Sequence, residues 1–180
     1  GNGWNVKLFD VPVGGPIIFA FLNSFIDDGF TTVKAIQVSS GTIIVFLSYL
    51  IVKNIFSRKI ALLSQIFIAM NPRLEFLSIS ALNELLPIAL IFLSLYFITK
   101  RNLLQRNLFL VGVLVGISFM IRYQALFVLV GILLYVLLRD KKIKKNLVNA
   151  IIIFSVFFVM ITPLLGYNYF THGVLLDADQ

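Results

Sequence analysis

The sequence predicts an all-α fold, a polytopic transmembrane helical bundle with about six hydrophobic passes and one short interfacial helix. Of its 180 residues, 59% are hydrophobic and only 13% are charged, whereas an ordinary soluble domain has about 25% charged residues. Long apolar runs alternate with short basic segments, as expected for helices that are surrounded by lipid. The chain has no cysteine, which excludes disulfides and thiolate metal sites.

The first part of the chain predicts a surface helix followed by two passes. Residues 16–26 are apolar but too short to cross a bilayer, which takes about 20 residues, so we expect a helix at the membrane surface. Residues 33–52 are the first clear span. Residues 60–70 are a shorter pass that ends at an Asn-Pro pair, because proline disfavours helix at the residue before it. Residues 73–80 are expected to be a connection.

The third pass is expected to begin at Asn83, because asparagine is one of the residue types favoured as a helix N-cap. Glu84 and Pro87 follow it and are expected in the first turn. In the first turn the helix dipole favours an acidic side chain. Proline is tolerated there because the backbone N–H that it lacks would have no acceptor within the helix. This helix is expected to run to about Ile98.

The next apolar stretch predicts a hairpin of two short passes. Residues 108–138 carry a single charge, on Arg122. One straight helix over this stretch would be about 46 Å long, well beyond the hydrocarbon core of about 30 Å. We therefore predict a turn at residues 122–124. The last span covers residues 147–165, with Pro163 near its end.

The whole chain, residues 1–180, is predicted to be one transmembrane domain within a longer protein. Its parts are an outer segment with the surface helix (1–32), the membrane passes (33–165) and a second outer segment (166–180). The one histidine, His172, is expected in an exposed loop of this last segment. A histidine metal cluster is therefore excluded, and no metal site is predicted from the residues.

The charges sort between the two sides of this path. Loops 53–59, 99–107 and 139–145 hold 11 of the 15 basic residues and one of the 8 acidic residues. The positive-inside rule then places these loops in the cytoplasm and both ends of the chain outside it. The basic excess is a signal of topology and not a nucleic-acid surface, so we expect the lipid bilayer as a partner and no nucleic acid.

Common ligand motifs are absent, and one packing motif is present. The sequence has no glycine-rich phosphate loop of either usual form. Gly112 and Gly116 form a pair of small residues four apart in an apolar helix. Such a pair lets two helices approach closely, and here it is expected to support packing within the chain and not a dimer.

Two ionisable residues lie next to apolar passes and are the candidates for chemistry. Arg122 has the donor geometry to bind a phosphate with two parallel hydrogen bonds. Glu84 has the carboxylate for a base, a metal ligand or a partner of sugar hydroxyls. Three structural alternatives remain open. Arg122 reaches lipid head groups or caps the short hairpin, Glu84 only favours the start of its helix, or the two residues form a structural bridge. Tyr123, with Tyr167 and Tyr169, fits an interfacial aromatic belt.

Five segments follow one another in an order that resembles a known family. They are a proline-led surface helix, a span ending in a basic turn, an acid opening a helix, a glycine-bearing helix closed by arginine, and a span ending in proline before an aromatic segment. In the sequence they read PVGGPIIFAFLNSF, FLSYLIVKNIFSRKIALLSQIFIAMNP, SISALNELLPIALIFLSLYF, LFLVGVLVGISFMIRYQALF and ITPLLGYNYFTHG. This order resembles the polytopic glycosyltransferases with the C-type fold, in the dolichyl-phosphate-mannose protein mannosyltransferase and aminoarabinose transferase branch.

The resemblance implies transfer of a sugar from a polyprenyl-phosphate carrier to a protein or glycolipid acceptor at the outer membrane face. It matches Glu84, as a catalytic residue, to the family's second acidic position, where aspartate is common. It matches Arg122 to the arginine that closes the glycine-bearing helix, with Tyr123 and Asn83 as further substrate-binding residues. The family's general base is an aspartate of the first outer loop. Asp10 lies too close to the surface helix to match it, so this base is expected upstream of the chain. The resemblance leaves a divalent cation open as cofactor.

Two other classes of function remain open at this stage. A transporter or flippase of lipid-linked polar cargo would place polar groups through several spans, whereas here the span interiors are almost free of charge. A non-catalytic membrane subunit that binds a partner is the third hypothesis. The gathering of ionisable residues at one face favours chemistry at the membrane surface over passage through the bilayer.

Overall fold

The computed structural model describes residues 14–26, 28–80, 84–100, 102–139 and 142–172. These ranges hold eight α-helices and no strand, which confirms the all-α prediction. The helices are α1 (Gly14–Ile26), α2 (Gly29–Ile55), α3 (Arg58–Ala69), α4 (Pro72–Ile79), α5 (Leu85–Thr99), α6 (Gln105–Ile121), α7 (Ala125–Leu138) and α8 (Ile143–His172).

The predicted hairpin is present. Helix α6 ends at Ile121 and α7 begins at Ala125, so the break falls where the length of the apolar stretch predicted it. Just after α7, the Arg139 guanidinium donates a hydrogen bond to the Ile98 carbonyl at the end of α5, with Nη1 2.7 Å from the oxygen. Helix α7 therefore runs back to the level at which α6 begins.

The described parts of the three basic loops lie at one end of the bundle. The Asn54 amide donates to the Thr99 hydroxyl across 3.3 Å, which brings the end of α2 beside the end of α5. The Arg139 contact brings the end of α7 to the same place. We call this the basic end, formed by loops 53–59, 99–107 and 139–145. The opposite end, which we call the site end, holds residues 84 and 122.

Two helices, α2 and α8, are long and apolar enough to cross a membrane. The pair α3 and α4 is bent by 54° at its break and counts as a third span if the two helices are taken together. Helices α5, α6 and α7 are apolar but shorter, so the predicted number of six passes stays a prediction. Large apolar side chains such as Phe67, Phe127 and Leu138 are exposed on the outside of the bundle, as expected where lipid replaces water.

Three element boundaries differ from the predictions. Residues 73–80, predicted as a connection, belong mostly to α4. The same Asn-Pro pair that ends α3 also starts α4: Asn71 is its N-cap, with its side chain accepting from the Arg73 amide at 2.9 Å, and Pro72 occupies the first turn. Proline has no amide N–H to leave unpaired at that position. The Asn71–Pro72 pair therefore ends α3 and begins α4.

The two long helices also extend beyond their predicted spans. Helix α2 begins at Gly29, where the Asp28 carboxylate caps it by accepting from the Phe30 amide at 3.1 Å. Helix α8 continues through Pro163 to His172. The prediction that His172 lies in a loop is therefore wrong, because it is the last residue of α8. A proline inside a helix removes one backbone hydrogen bond and bends the helix more readily than it ends a strongly apolar one.

The main core lies where α6 packs against α8. Val111, Val115 and Ile153 are fully buried there. A Cβ atom on Gly112 would lie 2.7 Å from the Val156 Cβ, and one on Gly116 would lie 2.8 Å from the Met160 Cβ. The two glycines therefore serve close packing within the chain, as predicted, and the matching order of their partners shows that α6 and α8 run parallel.

Candidate functional site

Glu84 and Arg122, 38 residues apart in sequence, form an ion pair at the site end. The Arg122 Nη2 lies 3.1 Å from the Glu84 Oε1, with 43% of the arginine side chain and 22% of the glutamate side chain exposed. One of the structural alternatives, that the two residues pair, is thus realised. Because the arginine remains partly open, the pair is accessible to a ligand and is not a sealed bridge.

Arg122 is presented by the turn between α6 and α7. Its backbone is extended, with φ −149° and ψ 121°, and closes α6 as its C-cap. Its amide donates to the Ser118 carbonyl at 2.8 Å, and its carbonyl accepts from the Ala125 amide at 3.1 Å. Within the described residues the guanidinium makes one hydrogen bond, to Glu84. A guanidinium has five N–H donors, so several remain for an anion.

Glu84 occupies the N-cap position of α5, with αR backbone angles and no hydrogen bond from its side chain to the helix. The prediction that Asn83 is the N-cap is therefore wrong by one residue, and Asn83 itself lies outside the described residues. The Glu84 carboxylate turns towards Arg122 and does not cap the helix, because the charged partner offers a stronger hydrogen bond than a backbone amide.

Two buried polar side chains from neighbouring helices hold the start of α5 in place. The Gln37 side chain on α2 accepts a hydrogen bond from the Leu85 amide at 3.1 Å. The Ser118 hydroxyl on α6 donates to the Pro87 carbonyl at 3.0 Å. The first amides of a helix have no partner within it, so Gln37 supplies one that the cap does not. These residues were missed by the sequence analysis, although each is a polar residue inside an apolar span.

Helix α1 begins beside the site. A Cβ atom on Gly14 would lie 2.5 Å from the Met120 carbonyl oxygen, so the first residue of α1 packs directly on the backbone of α6. Met120 is two residues before Arg122. Helix α1 therefore starts next to the arginine, and the close packing of Gly14 was not predicted from the sequence.

The aromatic residues near the site fall into two groups. The Tyr123 ring packs on Phe119, with ring centroids 5.3 Å apart, and is half-buried beside Arg122. Tyr167 and Tyr169 are exposed on the last part of α8. Tyr123 is next to Arg122 in sequence and its ring packs on Phe119, whereas Tyr167 and Tyr169 belong to the outer surface of α8.

The ion pair lies about one hydrocarbon thickness from the basic end. The hydrogen bond between Gln37 and Leu85 sets the start of α5 level with Gln37 on α2. From Gln37 to Ile55, the last residue of α2, the rise along the helix is about 27 Å, close to the core thickness of about 30 Å. From Gln37 back to Gly29 the helix continues for about 12 Å. Helix α2 therefore extends about 12 Å beyond the level of the Glu84–Arg122 ion pair.

The described residues near the ion pair do not form a divalent-cation site by themselves. Among the described residues, no three histidine, cysteine, aspartate or glutamate side chains come together as a metal site would require. Calcium and magnesium need several oxygen ligands, whereas the Glu84 carboxylate is already paired with a cation.

One family matches the chain. The sequence model of the family described as dolichyl-phosphate-mannose-protein mannosyltransferase matches residues 10–167, which is most of the chain and includes every helix up to α8. No curated protein and no solved structure matches the sequence.

Proposed function

We propose, because the chain belongs to the dolichyl-phosphate-mannose-protein mannosyltransferase family, that it moves a sugar from a polyprenyl-phosphate donor to an acceptor at the outer membrane face. The family and the apolar helices make the chain part of an integral membrane glycosyltransferase. The donor, the acceptor and the membrane face are our proposal. The observation that carries it is the half-exposed Arg122, whose guanidinium makes one hydrogen bond within the described residues and keeps donors for a ligand.

The position of this arginine suits a lipid phosphate. A polyprenyl phosphate keeps its tail in hydrocarbon and its phosphate at the surface of the bilayer, which is the level we infer for Arg122. A guanidinium binds a phosphate with two parallel hydrogen bonds. Its present partner, the Glu84 carboxylate, occupies one donor through a single contact, which leaves the outer edge of the guanidinium for the ligand.

The reaction that we propose is substitution at the anomeric carbon of the sugar. An acceptor oxygen forms a bond to that carbon while the bond from the carbon to the phosphate oxygen breaks. The electron pair leaves with the polyprenyl phosphate, which gains one negative charge, and Arg122 stabilises that charge as it develops. The proton of the acceptor passes to a carboxylate base, the role that the resemblance gives to an aspartate of the first outer loop.

We assign Glu84 to the binding of sugar or acceptor hydroxyls beside the arginine. A carboxylate oxygen accepts hydrogen bonds from hydroxyl groups with charge assistance, and one Glu84 oxygen carries the Arg122 contact. Tyr123 offers an aromatic ring next to the arginine for the face of a sugar. We keep Asn83 as a substrate-binding residue on the resemblance alone.

We propose that the site end faces the outside of the cell or the lumen. The charge asymmetry of the loops supports this orientation, since the basic end holds most of the lysines and arginines and such loops stay in the cytoplasm. Mannose is the first sugar to test, because the family description names it. A protein and a glycolipid both remain candidates for the acceptor.

The test is the variant Arg122→Ala in the full-length protein, reconstituted in nanodiscs with radiolabelled polyprenyl-phosphate mannose. We expect kcat to fall by about 10²–10³, the effect of removing one donor that stabilises a developing negative charge. The kcat of Arg122→Lys should lie between those of the wild type and Arg122→Ala, because lysine keeps the positive charge but cannot donate two parallel hydrogen bonds. The matched control is Arg106→Ala, an exposed arginine in the first turn of the same helix at the basic end.

Two results would overturn the proposal. Transfer by Arg122→Ala at the wild-type rate, with normal expression, would remove the arginine from the mechanism. Passage of radiolabelled cargo across the bilayer without covalent transfer would favour a flippase. Glu84→Gln separates the roles of the pair: we expect a raised KM for the acceptor or donor with a smaller loss of kcat than Arg122→Ala gives.

A further inference from the structure

The basic end carries two kinds of cation, which differ in the direction of the helix that bears them. Helices α2, α5 and α7 end there, whereas α3, α6 and α8 begin there. Each of the three ending helices has a tyrosine four residues before a basic residue at its end. The pairs are Tyr49–Lys53, Tyr96–Lys100 and Tyr135–Arg139. Tyrosine is enriched at the boundary between membrane and water, so this recurrence marks the level of that boundary.

The cations of the ending helices have partners within the protein. The Lys53 ammonium lies 5.6 Å from the centroid of the Tyr49 ring, and the Lys100 ammonium lies 4.5 Å from the centroid of the Tyr96 ring. Arg139 donates to two backbone carbonyls at the end of α5. A cation at the end of a helix is also favoured by the helix dipole. These three cations therefore serve the fold.

The cations of the beginning helices do not. Five exposed cations lie in the first turns of α3, α6 and α8, where the helix dipole disfavours them, and none of these turns contains an acidic residue. We call them the starting cations: Arg58, Lys59, Arg106, Lys144 and Lys145. None has a carboxylate or an aromatic partner among the residues that the structure describes. Membrane topology requires cations in these loops but not at these positions.

A large apolar side chain is exposed beside each group of starting cations. Phe56, Leu104 and Ile143 are 59%, 58% and 75% exposed, and each lies one or two residues before the first cation of its helix. Such a pairing is typical of a segment in the membrane interface, with its apolar side chain towards the acyl chains and its cation among the headgroups. A free phosphate ion or a soluble acidic protein would leave these side chains without apolar cover. The pattern therefore favours a lipid surface.

The starting cations span the depth of one headgroup layer. Gly112 on α6 lies beside Val156 on the parallel helix α8. At 1.5 Å per residue, Arg106 lies about 9 Å below Gly112, and Lys145 lies about 16 Å below Val156. The two cations therefore differ in depth by about 8 Å. The headgroup layer on one side of a bilayer is about 5–8 Å thick, so one layer of phosphates reaches both.

We propose that the starting cations bind the phosphates of anionic phospholipids in the leaflet that the basic end faces. Lysine and arginine form strong, charge-assisted hydrogen bonds with phosphate oxygens, and basic residues next to a membrane span attract anionic lipids. The bound lipids supply the negative charge that the first turns of α3, α6 and α8 lack. This inference does not rest on sugar transfer, because it concerns the end of the bundle opposite the ion pair.

The experiment measures lipid selectivity in vesicles of phosphatidylcholine that contain the full-length protein. Electron paramagnetic resonance gives the fraction of a spin-labelled lipid that the protein immobilises, for phosphatidylglycerol and for phosphatidylcholine. We expect the wild type to prefer phosphatidylglycerol, with a preference that falls as salt is added. The double variant Lys144→Gln/Lys145→Gln should lower this preference by about threefold or more and leave association of phosphatidylcholine unchanged. Both lysines oppose the dipole of α8, so their replacement is not expected to weaken the helix.

The matched control is Lys53→Gln/Lys100→Gln, which removes the same two charges from the same end. These lysines lie over tyrosine rings, so we expect a clearly smaller fall in the preference for phosphatidylglycerol. Equal falls in the two double variants would overturn the proposal, because the selectivity would then follow net charge alone. A wild type that does not distinguish phosphatidylglycerol from phosphatidylcholine would also overturn it.

Two competitors distinguish a lipid from other anions. Chloride is replaced by inorganic phosphate at constant ionic strength, and in a second sample polyglutamate is added. Immobilised phosphatidylglycerol that persists in both supports the lipid surface. Displacement by phosphate would indicate a site for the free ion, and displacement by polyglutamate a site for an acidic protein, and either would overturn the proposal. A wild type that prefers phosphatidylglycerol but transfers no sugar would contradict the proposed function alone.

Discussion

Arginine ends a short apolar helix at both ends of the bundle, and the two arginines are used differently. Arg122 closes α6 at the site end and holds a carboxylate through one contact of 3.1 Å. Arg139 follows α7 at the basic end and donates to the carbonyls of Ile98 and Lys100. One guanidinium faces a charged side chain and solvent, whereas the other is bound to the backbone at the end of α5.

The difference indicates which arginine serves the fold and which is available for a ligand. The last carbonyls of a helix lack partners within it, so Arg139 supplies donors that α5 needs and ties α7 to it. Arg122 leaves most of its donors free within the described residues. Sequence alone does not separate the two, because both are arginines next to an apolar helix. The partner decides the role.

The largest expected effect concerns the compartments of the two ends. These 180 residues contain no cysteine, so single cysteines introduced at Leu104, Ile143 and Tyr169, which are all exposed, can be labelled with a membrane-impermeant maleimide. We expect Tyr169→Cys to react from the outside, and Leu104→Cys and Ile143→Cys to react only after permeabilisation. Reaction of positions 104 and 143 in different compartments would break the assignment of the hairpin and of the site.

The next effect sharpens the comparison of the two arginines. Arg139→Gln should lower the free energy of unfolding by about 1–3 kcal/mol, because two hydrogen bonds from a charged group are lost. Arg122→Gln should lower it by less than about 1 kcal/mol, since partly exposed ion pairs contribute little. Unfolding by sodium dodecyl sulfate, followed by circular dichroism, measures both. For the rate of sugar transfer we expect Arg122→Gln to lose more than Arg139→Gln. Equal effects of the two variants on stability and on transfer would contradict a structural role for Arg139 and a ligand-binding role for Arg122.

The smallest effect tests how the site end is braced. Ser118 and Ser94 are both fully buried. Ser118 donates to Pro87 on another helix, whereas Ser94 donates to Ile91 within its own helix. We expect Ser118→Ala to cost about 1 kcal/mol of stability and to raise the donor KM, because Glu84 then shifts relative to Arg122. Ser94→Ala is the matched control. An equal change in donor KM for both variants would contradict the claim that the hydrogen bond from Ser118 to Pro87 positions Glu84.

The fold and the candidate pair were largely predictable from the sequence, for reasons of length and charge. A stretch too long for one pass required a turn near Arg122, and the sorting of basic loops required the same turn. These constraints also placed Glu84 and Arg122 at one end. The length of an apolar stretch and the positions of the basic residues can both be read from a single sequence.

The remaining features depend on the register between helices, which one sequence does not display. Gln37 meets Leu85 across 48 residues of sequence, and Ser118 meets Pro87 across 31. Gly14 is explained only by its contact with Met120. Helix α4 was missed for a different reason, since an Asn-Pro pair signals the end of one helix and the start of another equally well.

The close contact of α6 with α8 has a consequence for the membrane in which the enzyme works. Because Gly112 and Gly116 rest on Val156 and Met160, the height of Arg122 is fixed relative to α8. Helix α8 has 30 residues, about 45 Å, and a helix longer than the hydrocarbon core meets a change of bilayer thickness by tilting. We therefore expect hydrophobic mismatch at α8 to move Arg122 relative to the lipid phosphates, so that the rate of the proposed transfer depends on membrane thickness.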